Sequence, residues 1–332
     1  MKRIAIHGFG RIGRSTTRAA LSGGLFVPYS FSDITDPSTL AAIFGYDTNY
    51  GAWPEKVKFE DGKFHIGDRQ VTFFNSAKAL PNWKELEVEL VVDCTGRATK
   101  REFAQAHLDA GAKRVLVSAP SKSLEDCDAV LLPGINLDSY DPSKHRIISM
   151  ASCTTNAIAP VVKVLRDNFG IKTGFFSTVH AYTNTQSLTD QPMKDRRDSW
   201  AAAENIIPSS SGAAKSLKFI WPDLSITGKA YRVPVRTGSI VELNVILNKQ
   251  TNDEEVKNAF RNAVTQPNFK GIMEVLEEEY ASARILGDRH SCIIDIPLVQ
   301  VMGGNLLTIA AWYDNEFGYS SRLAETAAKL AG

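Results

Sequence analysis

The sequence has few cysteines, no long apolar run and almost no excess of charge. Four cysteines in 332 residues, none in a C-x-x-C pair, predict free thiols and neither a disulfide framework nor a metal site. No stretch approaches the roughly 20 apolar residues of a membrane span, and the basic start lacks the apolar region of a signal peptide. The formal net charge of +1 gives no reason to expect nucleic acid or an anionic membrane as a partner. We therefore expect a cytoplasmic protein.

The length exceeds what a single hydrophobic core usually covers, so two domains are expected. The first half alternates short apolar runs with helical patterns, which predicts an α/β domain with a parallel sheet. The predicted strands and helices of this half are Lys2–His7, Arg11–Ser22, Val27–Ser32, Leu90–Gly96, Lys100–Ala110 and Arg114–Pro120.

The second half predicts an α+β domain with a mostly antiparallel sheet. Phe175–His180 and Ser239–Leu247 alternate with a period of two, and Lys229–Val235 is a further β-like run. Thr251–Glu254 has the pattern of a capping box that opens a helix. A long polar loop is expected from Ala181 to about Ser211, and loops of this length are usually functional or ordered by a partner subunit.

The segment "IAIHGFGRIGRS" predicts a dinucleotide site. Gly8, Gly10 and Gly13 form a G-x-G-x-x-G pattern between a predicted strand and a predicted helix, where glycines permit a tight turn and a close approach of pyrophosphate. Asp33 lies about 20 positions on, where a carboxylate binds ribose hydroxyls and repels a 2′-phosphate. The pattern favours NAD over NADP; the alternative is a glycine-rich turn with an incidental aspartate.

Cys153 in "ASCTTN" is a candidate nucleophile. It precedes a helical pattern, and a helix N-terminus stabilises a thiolate and lowers the pKa of a cysteine. The alternative is a small buried hydrophobic residue, which suits Cys94 better. His180 ends the strand pattern on the same face as Phe176 and Thr178, where it could act as a general base or be purely structural.

A thiolate, a base and a nicotinamide cofactor together suit one reaction. The thiolate adds to an aldehyde, the thiohemiacetal loses a hydride, and water, phosphate or another nucleophile opens the resulting thioester. The residues therefore indicate aldehyde oxidation by covalent catalysis.

Eight motifs along nearly the whole chain closely resemble the phosphorylating glyceraldehyde-3-phosphate dehydrogenases. They are "GFGRIGR", "DCTG", "VSAP", "ASCTTN", "TVHAYTNTQ", "NIIPSSSGAAK", "YRVP" and "WYDNEFGYS". The resemblance implies a Rossmann-like NAD-binding domain over residues 1–152 and a catalytic domain over 153–318. A C-terminal helix from about 319 to 332 would pack back on the first domain.

The resemblance also implies roles for individual residues. Cys153 would be the nucleophile and His180 the base. Cofactor binding would fall to Gly8, Gly10, Arg11, Ile12, Gly13, Asp33, Ser118 and Asn315. The substrate's phosphate would be bound by Thr183 and Arg232, and the inorganic phosphate by Ser152, Thr154, Ser211 and Gly212. The partners implied are glyceraldehyde 3-phosphate, inorganic phosphate and other copies of the chain in a homotetramer, with the long loop against a neighbouring subunit.

The sequence departs from the family pattern at several positions. Trp200 stands where the family has an arginine that contacts the attacking phosphate. An indole lacks the positive charge and the paired N–H donors with which a guanidinium group binds an anion. His7 replaces an asparagine, and Ser211 replaces a threonine. Two alternatives therefore stay open: a related aldehyde dehydrogenase with another acceptor or substrate, such as erythrose 4-phosphate, or an NAD-binding protein without catalysis.

Overall fold

The computed structural model describes residues 2–332, which divide into two compact units. The first unit comprises residues 2–132, 136–151 and 320–332, and the second comprises Pro133–Ile135 and Ser152–Tyr319. Neither unit is built from one continuous segment. In particular, the last helix, Phe317–Ala331, begins in the second unit and continues in the first.

The first unit is a mostly parallel α/β structure, as predicted. Its strands are β1 (Ile4–His7), β2 (Ser30–Asp33), β3 (Tyr46–Asp47), β4 (Gly51–Ala52), β5 (Val57–Glu60), β6 (Lys63–Ile66), β7 (Arg69–Asn75), β8 (Leu90–Asp93), β9 (Arg114–Val117), β10 (Ala129–Val130) and β11 (Ile147–Ser149). Its helices are α1 (Arg11–Ser22), α2 (Pro37–Gly45) and α3 (Arg101–Asp109). The nine-stranded sheet has the order β10-β11-β9-β8-β1-β2-β7-β6-β5, and only the β7-β6-β5 edge is antiparallel.

The register of this sheet brings chemically important strand ends together. His7 of β1 pairs with Ser32 of β2 on one side and with Asp93 of β8 on the other. Because parallel strands end at the same edge, the glycine turn after β1 lies beside Asp33 at the end of β2.

A cluster of buried phenylalanines supports the glycine turn from below. The ring of Phe9 stacks on Phe31 at a centroid distance of 4.0 Å, and Phe44 and Phe64 also contact it. All four rings are fully buried. Burial of one such side chain contributes roughly 1.5–3 kcal/mol, so Phe9 anchors the turn while Gly10 next to it stays exposed.

The second unit has a mixed, mostly antiparallel sheet, which confirms the predicted fold class. Its strands are β12 (Ile171–Ala181), β13 (Ile207–Ser210), β14 (Ile226–Val233), β15 (Ser239–Leu247), β16 (Met273–Leu276), β17 (Cys292–Asp295), β18 (Gln300–Met302) and β19 (Leu306–Tyr313). Its helices are α4 (Cys153–Asn168), α5 (Ala213–Ile220) and α6 (Asp253–Ala263), and the last helix, α7 (Phe317–Ala331), begins here and continues in the first unit. The order is β13-β14-β12-β15-β19-β17-β16, with β18 paired to β19.

Several predicted boundaries shift in the structure. The predicted strand Val27–Ser32 is Ser30–Asp33, and the predicted loop ends before β13 because "IPSS" pairs with β14. Helix α6 begins one residue later than the capping-box pattern predicts, because the N-cap is Asn252 and not Thr251. The Asn252 side chain accepts from the Glu255 N–H, and the Thr251 hydroxyl donates to the Glu255 carboxylate. An asparagine is the stronger N-cap, which explains the shift.

None of the helices among residues 2–332 is long and apolar enough to cross a membrane. In the first unit, Ala324 of α7 packs on Ala19 and Ala20 of α1. Small side chains at this contact allow the two helices to approach closely.

Candidate active site

The glycine turn of the first unit has the steric properties that a bound pyrophosphate requires. Gly8 has φ of +85°, and a Cβ there would lie 2.8 Å from the Thr95 nitrogen. A Cβ on Gly13 would lie 2.2 Å from the Gly8 carbonyl oxygen, so this glycine permits close packing of α1 on β1. A Cβ on Gly10, in contrast, would meet nothing within 4 Å, so it would project into open space.

The beginning of α1 has no side-chain cap and could therefore bind an anion. Gly10 is the N-cap and supplies no side chain, and the first turn contains no acidic residue. The N–H groups of the first turn therefore have no side-chain cap, and the helix dipole adds positive potential there. Arg11 and Ile12 are half-buried in this turn, and the Arg11 guanidinium donates to Asp47 at 2.6 Å.

Asp33 is held next to the turn by two backbone donors. The Phe9 N–H donates to Oδ2 at 2.6 Å, and the Thr35 N–H donates to Oδ1 at 2.9 Å. Both bonds hold the carboxylate in a position where ribose hydroxyls could donate to it. Ser118, half-buried directly after β9, donates its N–H to the Asp93 carbonyl at 2.9 Å. The open space at Gly10, the uncapped helix and this carboxylate fit a dinucleotide.

Cys153 and His180, the predicted catalytic pair, are brought together in the second unit. Cys153 is the first residue of α4, His180 lies near the end of β12, and Sγ lies 3.4 Å from His180 Nε2. Phe176, Thr178 and His180 are all buried, which confirms that they share one face of the strand.

The tautomer of His180 follows from its second ring contact. Nδ1 lies 2.7 Å from the Ala181 carbonyl oxygen, which can only accept, so Nδ1 carries the proton. The lone pair on Nε2 therefore faces the Cys153 thiol. This arrangement suits transfer of the thiol proton to the ring.

The predicted lowering of the Cys153 pKa is wrong for this structure. Burial raises the pKa of the thiol, and this effect outweighs the opposing Arg232 charge and the hydrogen bonds from the Thr154 and Cys153 N–H groups. Burial, with a further contribution from Arg232, lowers the pKa of His180 to about 3. Desolvation disfavours both charged forms, so thiol and imidazole form a neutral pair at neutral pH.

The start of α4 is fixed by its own side chains. Ser152 is the N-cap, and its hydroxyl accepts from the Thr155 N–H at 3.1 Å. Just before it, Ala151 has φ of 54°, a region that residues other than glycine rarely adopt. Strained backbone of this kind is concentrated at functional sites.

Tyr313 is a site residue that the sequence did not single out. It is 1% exposed, and its hydroxyl lies 3.0 Å from Thr154 Oγ1 and 2.8 Å from Thr178 Oγ1. Its ring meets His180 edge-on at a centroid distance of 5.8 Å. One hydroxyl thus links the helix of Cys153 to the strand of His180.

The predicted phosphate-binding residues occupy different surroundings. The Thr183 hydroxyl and N–H both donate to Gln186 Oε1, at 3.1 and 3.0 Å. Arg232 donates to the Ala181 carbonyl at 3.4 Å, while its buried Nε has no partner among residues 2–332. The Ser211 hydroxyl accepts from the Ala213 N–H at 3.3 Å, and Gly212 is the exposed N-cap of α5.

The loop after β12 is ordered by contacts within itself. Ser187 forms an isolated bridge with Ala201, and Gln186 donates to the buried Asp198 carboxylate at 2.9 Å. Trp200 in this loop is 54% exposed, and the neighbouring Arg196 and Arg197 are exposed as well. The indole therefore lies on the surface of the loop rather than in its core.

A cluster of His7, Asp93 and His107 in the first unit has three potential metal ligands within 4.8 Å of one another. The Trp83 indole N–H donates to His107 Nδ1 at 3.1 Å, so Nε2 must carry the proton and donate to Asp93 at 3.3 Å. A protonated Nε2 cannot bind a metal. As arranged, the cluster is a hydrogen-bond network, which residue spacing in the sequence did not indicate.

The first unit is of the Rossmann type and has a dinucleotide-binding turn, and the second unit contains a cysteine–histidine pair. These two features define the protein as a dinucleotide-dependent oxidoreductase. The particular family follows from comparison with known proteins.

Two family descriptions match the chain. Residues 2–101 match "Glyceraldehyde 3-phosphate dehydrogenase, NAD binding domain", and residues 152–315 match "Glyceraldehyde 3-phosphate dehydrogenase, C-terminal domain". The chain is 44% identical to the glyceraldehyde-3-phosphate dehydrogenase of Kitasatospora aureofaciens, covering 100% of this chain and 99% of the relative. It is 42% identical to those of Streptomyces coelicolor (97% and 96% covered) and Geobacillus stearothermophilus (99% and 98% covered). The chain belongs to the glyceraldehyde-3-phosphate dehydrogenase family, and the predicted family and NAD cofactor are confirmed.

Proposed function

We propose that this protein catalyses the NAD-dependent oxidation and phosphorylation of glyceraldehyde 3-phosphate to 1,3-bisphosphoglycerate in glycolysis and gluconeogenesis. The observation that carries the proposal is the 3.4 Å contact between Cys153 Sγ and His180 Nε2 in a chain of this family. The full-length relatives bear this enzyme's name, which disfavours erythrose 4-phosphate as the substrate and a protein without catalysis.

Cys153 is the nucleophile and His180 the base. Since the resting pair is neutral, the thiol proton passes to His180 Nε2 as the sulfur attacks the aldehyde carbon, and a thiohemiacetal forms. The Arg232 charge favours thiolate, because it lowers the pKa of the thiol while it disfavours a second positive charge on the ring. The N–H groups at the start of α4 add to this stabilisation.

NAD supplies the hydride acceptor that takes the thiohemiacetal to the thioester. Gly8, Gly10, Arg11, Ile12 and Gly13 would hold its pyrophosphate. Asp33 would bind the adenosine ribose and disfavour a 2′-phosphate. Ser118 lies at the same carboxyl edge of the sheet, and Asn315 would bind the carboxamide.

Two groups of residues would bind phosphate. Thr183 and Arg232 would hold the phosphate of the substrate. Ser152, Thr154, Ser211 and Gly212 would line the position from which inorganic phosphate attacks the thioester. The unpartnered Arg232 Nε and the exposed N-cap at Gly212 support this assignment, because both offer unused donors to an anion.

The domain limits and the assembly are also proposals. Residues 1–152 would form the NAD-binding domain, joined by the helix at about 319–332, and residues 153–318 the catalytic domain. We propose a cytoplasmic homotetramer in which the loop over residues 182–206, the structural counterpart of the long polar loop expected from Ala181 to about Ser211, contacts a neighbouring subunit. The exposed Leu188 and Ile206 in this loop support such a contact, since large apolar side chains favour burial.

The test is NADH formation from glyceraldehyde 3-phosphate and NAD, with and without inorganic phosphate. We expect a saturable dependence on phosphate. A steady rate that does not respond to phosphate would show that water or another acceptor opens the thioester, and it would overturn the phosphorylating reaction while leaving the oxidation intact. No NADH under either condition would overturn the proposal as a whole.

A further inference from the structure

The hydroxyl of Ser239 connects the strand end that carries His180 with Asn315. Ser239 is the first residue of β15, which lies between β12 and β19 in the sheet, and it is 1% exposed. The Ala181 N–H donates to Ser239 Oγ at 3.1 Å, and Oγ lies 3.0 Å from Asn315 Oδ1. Because the N–H can only donate, the hydroxyl proton is left for Asn315, and Ser239 donates to the amide oxygen.

The contacts of Asn315 determine which way its amide faces. The Gly238 N–H donates to Oδ1 at 3.2 Å, and the Thr237 hydroxyl lies 3.4 Å from the same atom. A backbone N–H requires an acceptor, so the atom in this position is the oxygen and not the nitrogen. Asn315 is only 5% exposed, and no hydrogen bond among residues 2–332 engages its Nδ2. The side chain therefore presents an unused donor.

The other partner of Ser239 acts on the catalytic base. The carbonyl of Ala181 accepts from His180 Nδ1 and thereby sets the tautomer in which Nε2 faces Cys153. The same residue's N–H is the group that Ser239 holds. One hydroxyl therefore fixes a backbone segment next to His180 and the orientation of a buried amide.

We propose that Ser239 is a positioning residue that holds the Asn315 Nδ2 group as a donor for the carboxamide oxygen of the nicotinamide. The proposal rests on the proposed function for the role of Asn315. The single proton of the Thr237 hydroxyl goes to the nearer Asp314 Oδ1, at 3.0 Å, so Ser239 and the Gly238 N–H are the two donors to Asn315 Oδ1. Without the Ser239 hydroxyl, the amide loses one of these two donors and the Ala181 N–H loses its acceptor. The amide then rotates more freely, and the carboxamide loses a fixed partner.

The test compares the binding of NAD with that of ADP-ribose, which lacks the nicotinamide, by calorimetry on the wild-type protein and on Ser239→Ala. We expect the variant to bind NAD about fivefold more weakly, the effect of one neutral hydrogen bond, and to bind ADP-ribose as the wild type does. Asn315→Ala should show the same pattern, and adding Ser239→Ala to it should cause no further loss.

Ser291→Ala is the matched control. Ser291 is also buried in the second unit, at 4% exposure, and its hydroxyl has no hydrogen-bond partner among residues 2–332. This variant should bind both ligands as the wild type does. If Ser239→Ala does not fold, Ser239→Cys, which keeps the volume and weakens both hydrogen bonds, provides the same comparison.

Two outcomes would overturn the proposal: an equal loss of NAD and ADP-ribose affinity in Ser239→Ala, or no change in either. Additive losses in the double variant would also do so, because the two residues would then act independently. These measurements need no aldehyde. A wild-type protein that fails to oxidise glyceraldehyde 3-phosphate would therefore refute the proposed function without deciding the role of Ser239.

Discussion

The glycine turn of the first unit consists mainly of main-chain groups, whereas the cysteine–histidine centre of the second unit consists of buried side chains. The turn is one continuous segment after β1, and what it offers a ligand is backbone N–H groups and the open space at an exposed Gly10. The centre consists of side chains from α4, β12, β14 and β19, and His180 and Tyr313 in it are at most 3% exposed.

This difference determines how each region responds to change. In the turn, the shape of the main chain matters, so an added methyl group is the most informative substitution. In the centre, the chemistry of each buried group matters, because desolvation moves both pKa values and every hydroxyl has a defined partner. Substitutions in the two regions should therefore separate binding from catalysis.

The largest effect is expected at Cys153. Cys153→Ser should lower the oxidation rate by at least about a thousandfold, because a hydroxyl beside a base of low pKa is a far weaker nucleophile. The affinity for NAD should stay the same, since the turn does not depend on the thiol. Steady-state kinetics and calorimetry would check this, and retained turnover would exclude covalent catalysis.

Two alanine variants compare the glycines of the turn. Gly13→Ala should destabilise the protein by about 3 kcal/mol, because its Cβ would lie 2.2 Å from the Gly8 carbonyl oxygen. Gly10→Ala should leave the melting temperature unchanged, since its φ of −69° suits alanine and its Cβ meets nothing within 4 Å.

NAD binding by Gly10→Ala should nevertheless weaken about tenfold, because the methyl group occupies the space into which the pyrophosphate would fit. Thermal unfolding and calorimetry distinguish the two variants. Equal stability of both, or unchanged NAD affinity in Gly10→Ala, would contradict the steric account of the turn.

A smaller effect is expected from pH. Burial lowers the pKa of His7 to about 4, although the charges of Asp93 and Asp33 oppose this shift. The unfolded chain, whose histidines have a pKa near 6.5, takes up the proton first. The contribution of His7 to stability is therefore fully present above pH 6.5 and is lost as the pH drops towards 4.

His7→Asn removes this proton uptake. Between pH 8 and pH 5 it should lose about 1–2 kcal/mol less stability than the wild type, measured by urea unfolding. The pH profile of Cys153 alkylation should not change, whereas His180→Asn should alter it. An acid response of His7→Asn equal to that of the wild type would contradict the lowered pKa.

The smallest effect is expected at Trp200. Because this side chain is 54% exposed, Trp200→Arg should change stability by no more than about 0.5 kcal/mol. A guanidinium there should lower the KM for inorganic phosphate a few-fold and leave the alkylation of Cys153 unchanged. An unchanged KM would show that position 200 does not contact the attacking phosphate.

The sequence pattern correctly predicted features that depend on interactions between residues close together in the chain. Helix α1 begins and ends where the spacing placed it, and His180 lies on the predicted buried face of its strand. The pKa direction of Cys153 was wrong because the helix terminus is a local property, whereas desolvation depends on everything that covers the thiol. The strand β13 was missed because its pairing partner lies about 20 residues further along the chain.

The sequence by itself determined the two-part α/β organisation, the dinucleotide-binding turn and the identity of the cysteine and histidine, because each depends on residues close together in the chain. The tertiary structure alone decided that Tyr313 joins Thr154 to Thr178 and that Ser239 joins Ala181 to Asn315. These contacts join residues 58 to 159 positions apart. They form only when the sheet brings the ends of β12, β15 and β19 together, and no periodicity in the sequence encodes which hydroxyl meets which partner.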